Sequence, residues 1–204
     1  MSTELKKPRG RPRVFDKEEA LEKAMKLFWA RGYDGTSMAE LIETLGINKP
    51  SLYAAFGNKE ELFHKALLKY ASGPVAFVSE VTKEPTARKV AEGFLVKAAE
   101  FLTNPQSPKG CMIVQAALSA SENAEMIRNV LIKYRGSYEN LLAERFAKAK
   151  KDGDLPTDAN PKDLAKFLAT LHQGMSVQAT SGATKQELLQ LANLALKAWP
   201  EEIK

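Results

Sequence analysis

The chain has 204 residues, a net charge of +5, 44% hydrophobic and 27% charged residues, and a single cysteine. That balance is the one of a soluble globular protein of one large domain, or of one small domain fused to a larger one. One cysteine excludes an internal disulfide framework. No run approaches the roughly 18 apolar residues of a membrane helix, and no apolar stretch follows the N-terminal charges as in a signal peptide. The expected location is the cytoplasm, without a membrane partner.

The charge is unevenly placed. Residues 1–13 hold Lys6, Lys7, Arg9, Arg11 and Arg13 against Glu4, so four of the five surplus positive charges sit there. A concentrated basic tail of this kind neutralises phosphate, or else merely solubilises a terminus. Pro8-Arg9-Gly10-Arg11-Pro12-Arg13 resembles the AT-hook core, which lies extended in an A·T-rich minor groove. Gly permits close approach, Pro favours an extended chain, and a narrow groove attracts Arg. Arg9, Arg11 and Arg13 are therefore candidate DNA contacts.

From residue 15 the punctuation predicts helices. Asp16 with Glu19 reads as an Asp form of the capping box, with Phe15 and Ala20 as a hydrophobic staple, and Gly32 as the stop. Ser37 with Glu40 opens a second helix that ends at Gly46. Asn48 caps a third over Lys49 to Phe56, closed by Gly57. Asn58 with Glu61 opens a fourth, and Gly73-Pro74 kinks or ends it. Two short helices around a tight turn, between two longer ones, give the helix-turn-helix layout, with Ile47, Leu52 and Phe56 on the buried face.

Beyond residue 70 no strand-like alternation appears, and helices are predicted over 86–103, 111–120, 122–151, 161–181 and 185–199. The predicted fold class is all-α: an arm at 1–13, a three-helix head at 14–60 and a helical bundle at 61–204. The last two helices are apolar over more than one face, as Leu188, Leu189, Leu191, Leu194, Leu196 and Trp199 illustrate. Such a surface either packs within the monomer or joins two copies, and a homodimer through these helices is the expectation.

Gly32-Tyr33-Asp34-Gly35-Thr36-Ser37-Met38, Gly46-Ile47-Asn48-Lys49-Pro50-Ser51-Leu52-Tyr53 and Phe56-Gly57-Asn58-Lys59-Glu60-Glu61-Leu62 closely resemble the head of the tetracycline-repressor (TetR) family. Lys109-Gly110-Cys111-Met112-Ile113-Val114 and Gly153-Asp154-Leu155-Pro156 resemble one subgroup of its bodies. The resemblance implies a homodimeric regulator, by family habit a repressor, that binds a palindromic operator in double-stranded DNA and is released by a small-molecule effector. Carried over by position, Thr36, Tyr53 and Lys59 contact phosphate, Lys49 and Ser51 face base edges, and Ser37 joins the DNA-binding set. Pro50 and the short side chains Ala54 and Ala55 depart from a strongly hydrogen-bonding reading helix and shift weight to the arm.

For the body, an effector pocket is expected from Phe94, Phe101, Cys111, Met112, Gln115, Tyr134, Tyr138, His172, Gln173 and Met175, residue types that more often serve as plain core. Cys111, at a helix start beside Lys109, is also a candidate redox or electrophile switch, because a helix N-terminus lowers thiol pKa. Alternatives to the effector-released regulator are that switch and a low-specificity architectural DNA-binding protein. An enzyme is not expected: His64 and His172 lie far apart, and no phosphate loop, metal-spaced Cys/His cluster or nucleophile elbow appears. No cofactor or metal is expected.

Overall fold

The computed structural model describes residues 15–119 and 125–200, with residues 117–119 described by backbone alone. The basic arm with Arg9, Arg11 and Arg13 lies outside the described residues. So do the predicted end at 120 and start at 122. Among the described residues the chain forms ten helices: α1 Lys17–Arg31, α2 Met38–Leu45, α3 Lys49–Phe56, α4 Lys59–Ser72, α5 Phe77–Val81, α6 Ala87–Leu102, α7 Met112–Ser119, α8 Glu125–Lys151, α9 Pro161–Thr180 and α10 Lys185–Leu196. No helix among them is long and apolar enough to cross a membrane.

The starts of these helices are side-chain chemistry. Asp16 accepts from the backbone N–H of Glu18 and Glu19. Ser37 with Glu40, Asn58 with Glu61, and Thr184 with Glu187 each complete a reciprocal capping box. Between α2 and α3, Gly46 takes the left-handed conformation (φ 67°), a region that costs residues with a Cβ, and Asn48 accepts from Ser51 N at 2.9 Å. The turn is therefore closed within three residues. α5 lies outside the predicted helices; at five residues it is too short to show periodicity and has no side-chain cap.

One apolar core runs from Ala20 to Trp199. α1 packs on α2, α4 and α7, α6 on α9 and α10, and α8 on α9. α4 begins at Lys59, so the expected division at 60/61 falls in its first turn, while its apolar face (Leu62, Phe63, Ala66, Leu67, Tyr70) is buried against its neighbours. The Gly153-Asp154 turn has a bracing role: Asp154 Oδ2 accepts from Ala87 N at 2.6 Å, at the start of α6. Arg145 of α8 donates to Thr82 O (3.0 Å), Glu84 O (2.9 Å) and Pro85 O (3.1 Å) and fixes the connection after α5.

Candidate functional site

The head presents α3 outward. Leu52 and Phe56 are fully buried and hold the helix in place, while Lys49, Ser51 and Tyr53 are exposed on its other faces. Tyr53 is 44% exposed, an unusual state for an aromatic ring, and the Lys49 ammonium lies 5.9 Å from its centroid. Ser37 is exposed at the start of α2, its hydroxyl accepting from Glu40 N. Among the described residues these four groups form the accessible part of the expected DNA-binding set, with Ser37, Lys49 and Ser51 at helix N-termini, which favour phosphate.

Two members of that set are engaged within the head. Thr36 is fully buried and its hydroxyl donates to Gly32 O at 2.7 Å, closing the turn after α1 instead of standing free for phosphate. Lys59 is partly buried with its ammonium 4.3 Å from the centroid of the Tyr33 ring, a cation–π contact, and burial lowers its pKa. Both shape the head.

Beneath the head lies a partly enclosed cavity of ≈310 Å³ between the end of α4, α5, α6, α8 and α9. Of the residues expected there, Phe94, Cys111, Tyr134, Tyr138 and His172 line it. The others do not. Phe101 stacks on Trp29 at 5.4 Å. Met112 and Met175 are fully buried core residues. Gln115 reaches Thr180 Oγ1 at 3.4 Å, and Gln173 donates to Tyr138 OH at 3.4 Å, one step behind the wall. Sequence reasoning missed the α5 wall (Phe77, Val78); the apolar run after Gly73-Pro74 was its only signal. A larger open recess of ≈610 Å³ between α1 and α4 has charged walls that already pair, Lys69 with Glu18 and Glu22, and so lacks unmet polar groups of that kind.

Residues 110–112 join cavity to head. Trp29 Nε1 of α1 donates to Gly110 O at 3.0 Å. Met112 N donates to Tyr70 OH of α4 at 3.1 Å, and that hydroxyl donates to Cys111 Sγ at 3.3 Å. Cys111 N donates to Ser176 Oγ of α9 at 2.8 Å. Gly110 is held at φ 78°, where a Cβ would come within 2.7 Å of Thr180 Cγ2. Neither Tyr70 nor Ser176 was expected from the sequence, though Tyr70 continues the apolar stripe of α4.

The chemistry of Cys111 differs from the sequence expectation. Burial raises its pKa and outweighs the hydrogen bonds that lower it, from the Tyr70 hydroxyl and from the N–H groups of Val114 and Ile113 at the start of α7. The helix N-terminus loses to desolvation, and the thiol stays protonated. Burial likewise pushes Tyr138 up to about 12 and His172 down to about 4, so both are neutral.

Residues 20–66 match the family model for bacterial regulatory proteins of the tetR family, and residues 92–192 match that for the tetracyclin repressor-like C-terminal domain. The HTH-type transcriptional repressor ComR of Escherichia coli K12 is 36% identical over 202 residues, covering 98% of this chain and 96% of ComR. The chain belongs to the TetR family. This TetR-family protein is a DNA-binding transcriptional regulator and not an enzyme, with its helix-turn-helix in α2 and α3. A second repressor, BdcR of Escherichia coli K12, is 29% identical over 93% of the chain and 91% of its own length. Among solved structures, a cysteine mutant of the TetR regulator CifR complexed with 26-bp operator DNA is 41% identical, with a TM-score of 0.89 over 93% of this chain and all of that one.

Proposed function

We propose that this TetR-family regulator is a repressor that binds a palindromic operator as a homodimer and releases it when a small molecule fills the cavity beneath the head. The observation that carries the proposal is the clamp at residues 110–112: the wall that holds Cys111 is bonded to α1 through Trp29 and to α4 through Tyr70. A ligand that displaces this wall changes the seating of both helices that support the head. Such a ligand need only bind the two arrangements unequally to shift their populations. ComR and BdcR, similar over almost the whole chain, are repressors.

Val177 on α9 and Leu194 on α10 are 40% and 63% exposed, which supports these helices as the surface joining two copies. Lys49 and Ser51 read base edges; Tyr53, Ser37 and the α2 N-terminus hold phosphates; Thr36 and Lys59 act by shaping the head. The arm with Arg9, Arg11 and Arg13 adds minor-groove contacts beside the operator. Modification of Cys111 works against the burial that keeps its thiol protonated, so ligand binding is the switch.

Three variants test the DNA-binding surface. Tyr53→Phe weakens binding to all sequences alike, whereas Lys49→Ala costs about 1–3 kcal/mol at particular operator positions. Removing residues 1–13 lowers the slope of log affinity against log salt by up to ~4–5, at about 0.9 for each phosphate the arm neutralises. Fluorescence anisotropy over a salt series measures all three. A slope unchanged without the arm overturns its role, and uniform weakening by Lys49→Ala overturns base reading by Lys49.

A further inference from the structure

Among the described residues that line the cavity there is no Asp, Glu, Lys or Arg. A charged guest would be desolvated there without a partner, at a cost no apolar contact repays. Four polar residues of the wall are engaged. Ser79 donates to Ala76 O (2.9 Å) and Ser137 to Tyr134 O (2.7 Å), Tyr138 accepts from Gln173, and Cys111 is held by Tyr70.

Among the described residues of this wall, His172 carries the one buried side-chain nitrogen or oxygen that has no partner. The residue is 4% exposed, its Nδ1 is buried, and that atom has no hydrogen-bond partner. Its ring sits 5.8 Å from that of Phe94 and 5.6 Å from that of Tyr138. An unmet buried nitrogen is costly, and a guest with a matching group recovers that cost. Nδ1 either donates or accepts according to tautomer, and a hydroxyl serves both cases.

We propose that the cavity binds an uncharged, mainly apolar phenol or alcohol whose hydroxyl pairs with His172 Nδ1 between the Phe94 and Tyr138 rings. This rests on the effector-released regulator above and names the chemistry of its effector. The volume suits a molecule at the small end of the range for such sites. Burial of His172 keeps its ring uncharged at neutral pH, so it offers no ion pair to an acid.

Calorimetric titration of the full-length protein, without DNA, with 4-ethylphenol, ethylbenzene and 4-ethylbenzoate tests the class. The phenol is expected to bind at least about tenfold more tightly than ethylbenzene, a difference of about 1.4 kcal/mol, and the benzoate not to bind. His172→Leu removes the advantage of the phenol and keeps ethylbenzene binding, with circular dichroism to check folding. Val78→Trp, which fills the cavity from the α5 wall, removes both. Benzoate binding at least as tight as the phenol, a phenol preference that survives His172→Leu, binding unaffected by Val78→Trp, or no heat from any probe at millimolar concentration overturns the proposal. Anisotropy of the unliganded protein on operator DNA reports separately on the regulator, so a protein that binds operator but ignores the phenol fails the ligand class alone.

Discussion

Phe63→Ala lowers the unfolding free energy by about 3–5 kcal/mol, a large fraction of what holds a domain of this size together. Phe63 is fully buried on the face of α4 that meets α1. Its ring stands edge-on to Phe28 at 5.0 Å and to Tyr33 at 5.1 Å. Truncation removes the buried apolar area, leaves a cavity between two helices that cannot fully close it, and ends two aromatic contacts worth about 0.5–1.5 kcal/mol each. Tyr33 also supports Lys59, so the loss reaches the head surface. Urea unfolding at one fixed protein concentration measures it, because association contributes to apparent stability. A loss below about 1.5 kcal/mol would show that α1 and α4 repack freely and do not form a rigid seat for the head.

Stability falls by about 3 kcal/mol on account of His172 alone as the pH is lowered from 6.5 to 4. Burial holds the folded-state pKa at about 4 against an ordinary value of 6.5. The unfolded chain therefore binds this proton first. The contribution is fully present above pH 6.5, declines as protons load the unfolded state, and is lost once the pH has fallen through about 4. Tyr70, Cys111 and Tyr138, which pack around the same region, are all raised and stay protonated throughout the window. The capping carboxylates of Glu40 and Glu187 are lowered by their cap hydrogen bonds. They are unchanged in His172→Leu, so the difference between the two proteins isolates the imidazole. Chemical denaturation from about pH 7 to about 4.5 should show a steeper decline for the unchanged protein; parallel curves would contradict a neutral buried His172.

What the sequence made legible was local. The starts and stops at Asp16, Ser37, Gly46, Asn48 and Asn58 are hydrogen-bond chemistry within three or four residues, and each stands at a helix end in the structure, with the boxes at Ser37 and Asn58 complete and Asp16 accepting from Glu18 and Glu19. The outward position of Lys49, Ser51 and Tyr53 follows from the same periodicity that buries Leu52 and Phe56. Hidden from the sequence was whatever depends on distant partners. The bond from Tyr70 to Cys111 spans 41 residues and that from Cys111 to Ser176 spans 65, and nothing local marks either. Thr36 turns inward because Gly32 O, at the end of α1, lies within its reach. The helix start beside Cys111 points to a lowered thiol pKa, whereas burial that only packing reveals decides its value. The same holds for the cavity: five aromatic, sulfur and imidazole residues were in the expected set, but Phe101 and Met175 lie on faces taken up by core packing.

Sequence-specific operator binding is tested most directly by selection of genomic DNA fragments on the purified protein near ~0.15 M salt, followed by footprinting of the recovered sequences. A short palindromic footprint with A·T-rich flanks is expected, bound at least about 10³-fold more tightly than random DNA. Recovery of A·T-rich fragments that share no palindrome, without that gap in affinity, would contradict it and make the exposed face of α3 a phosphate-binding surface that does not read sequence.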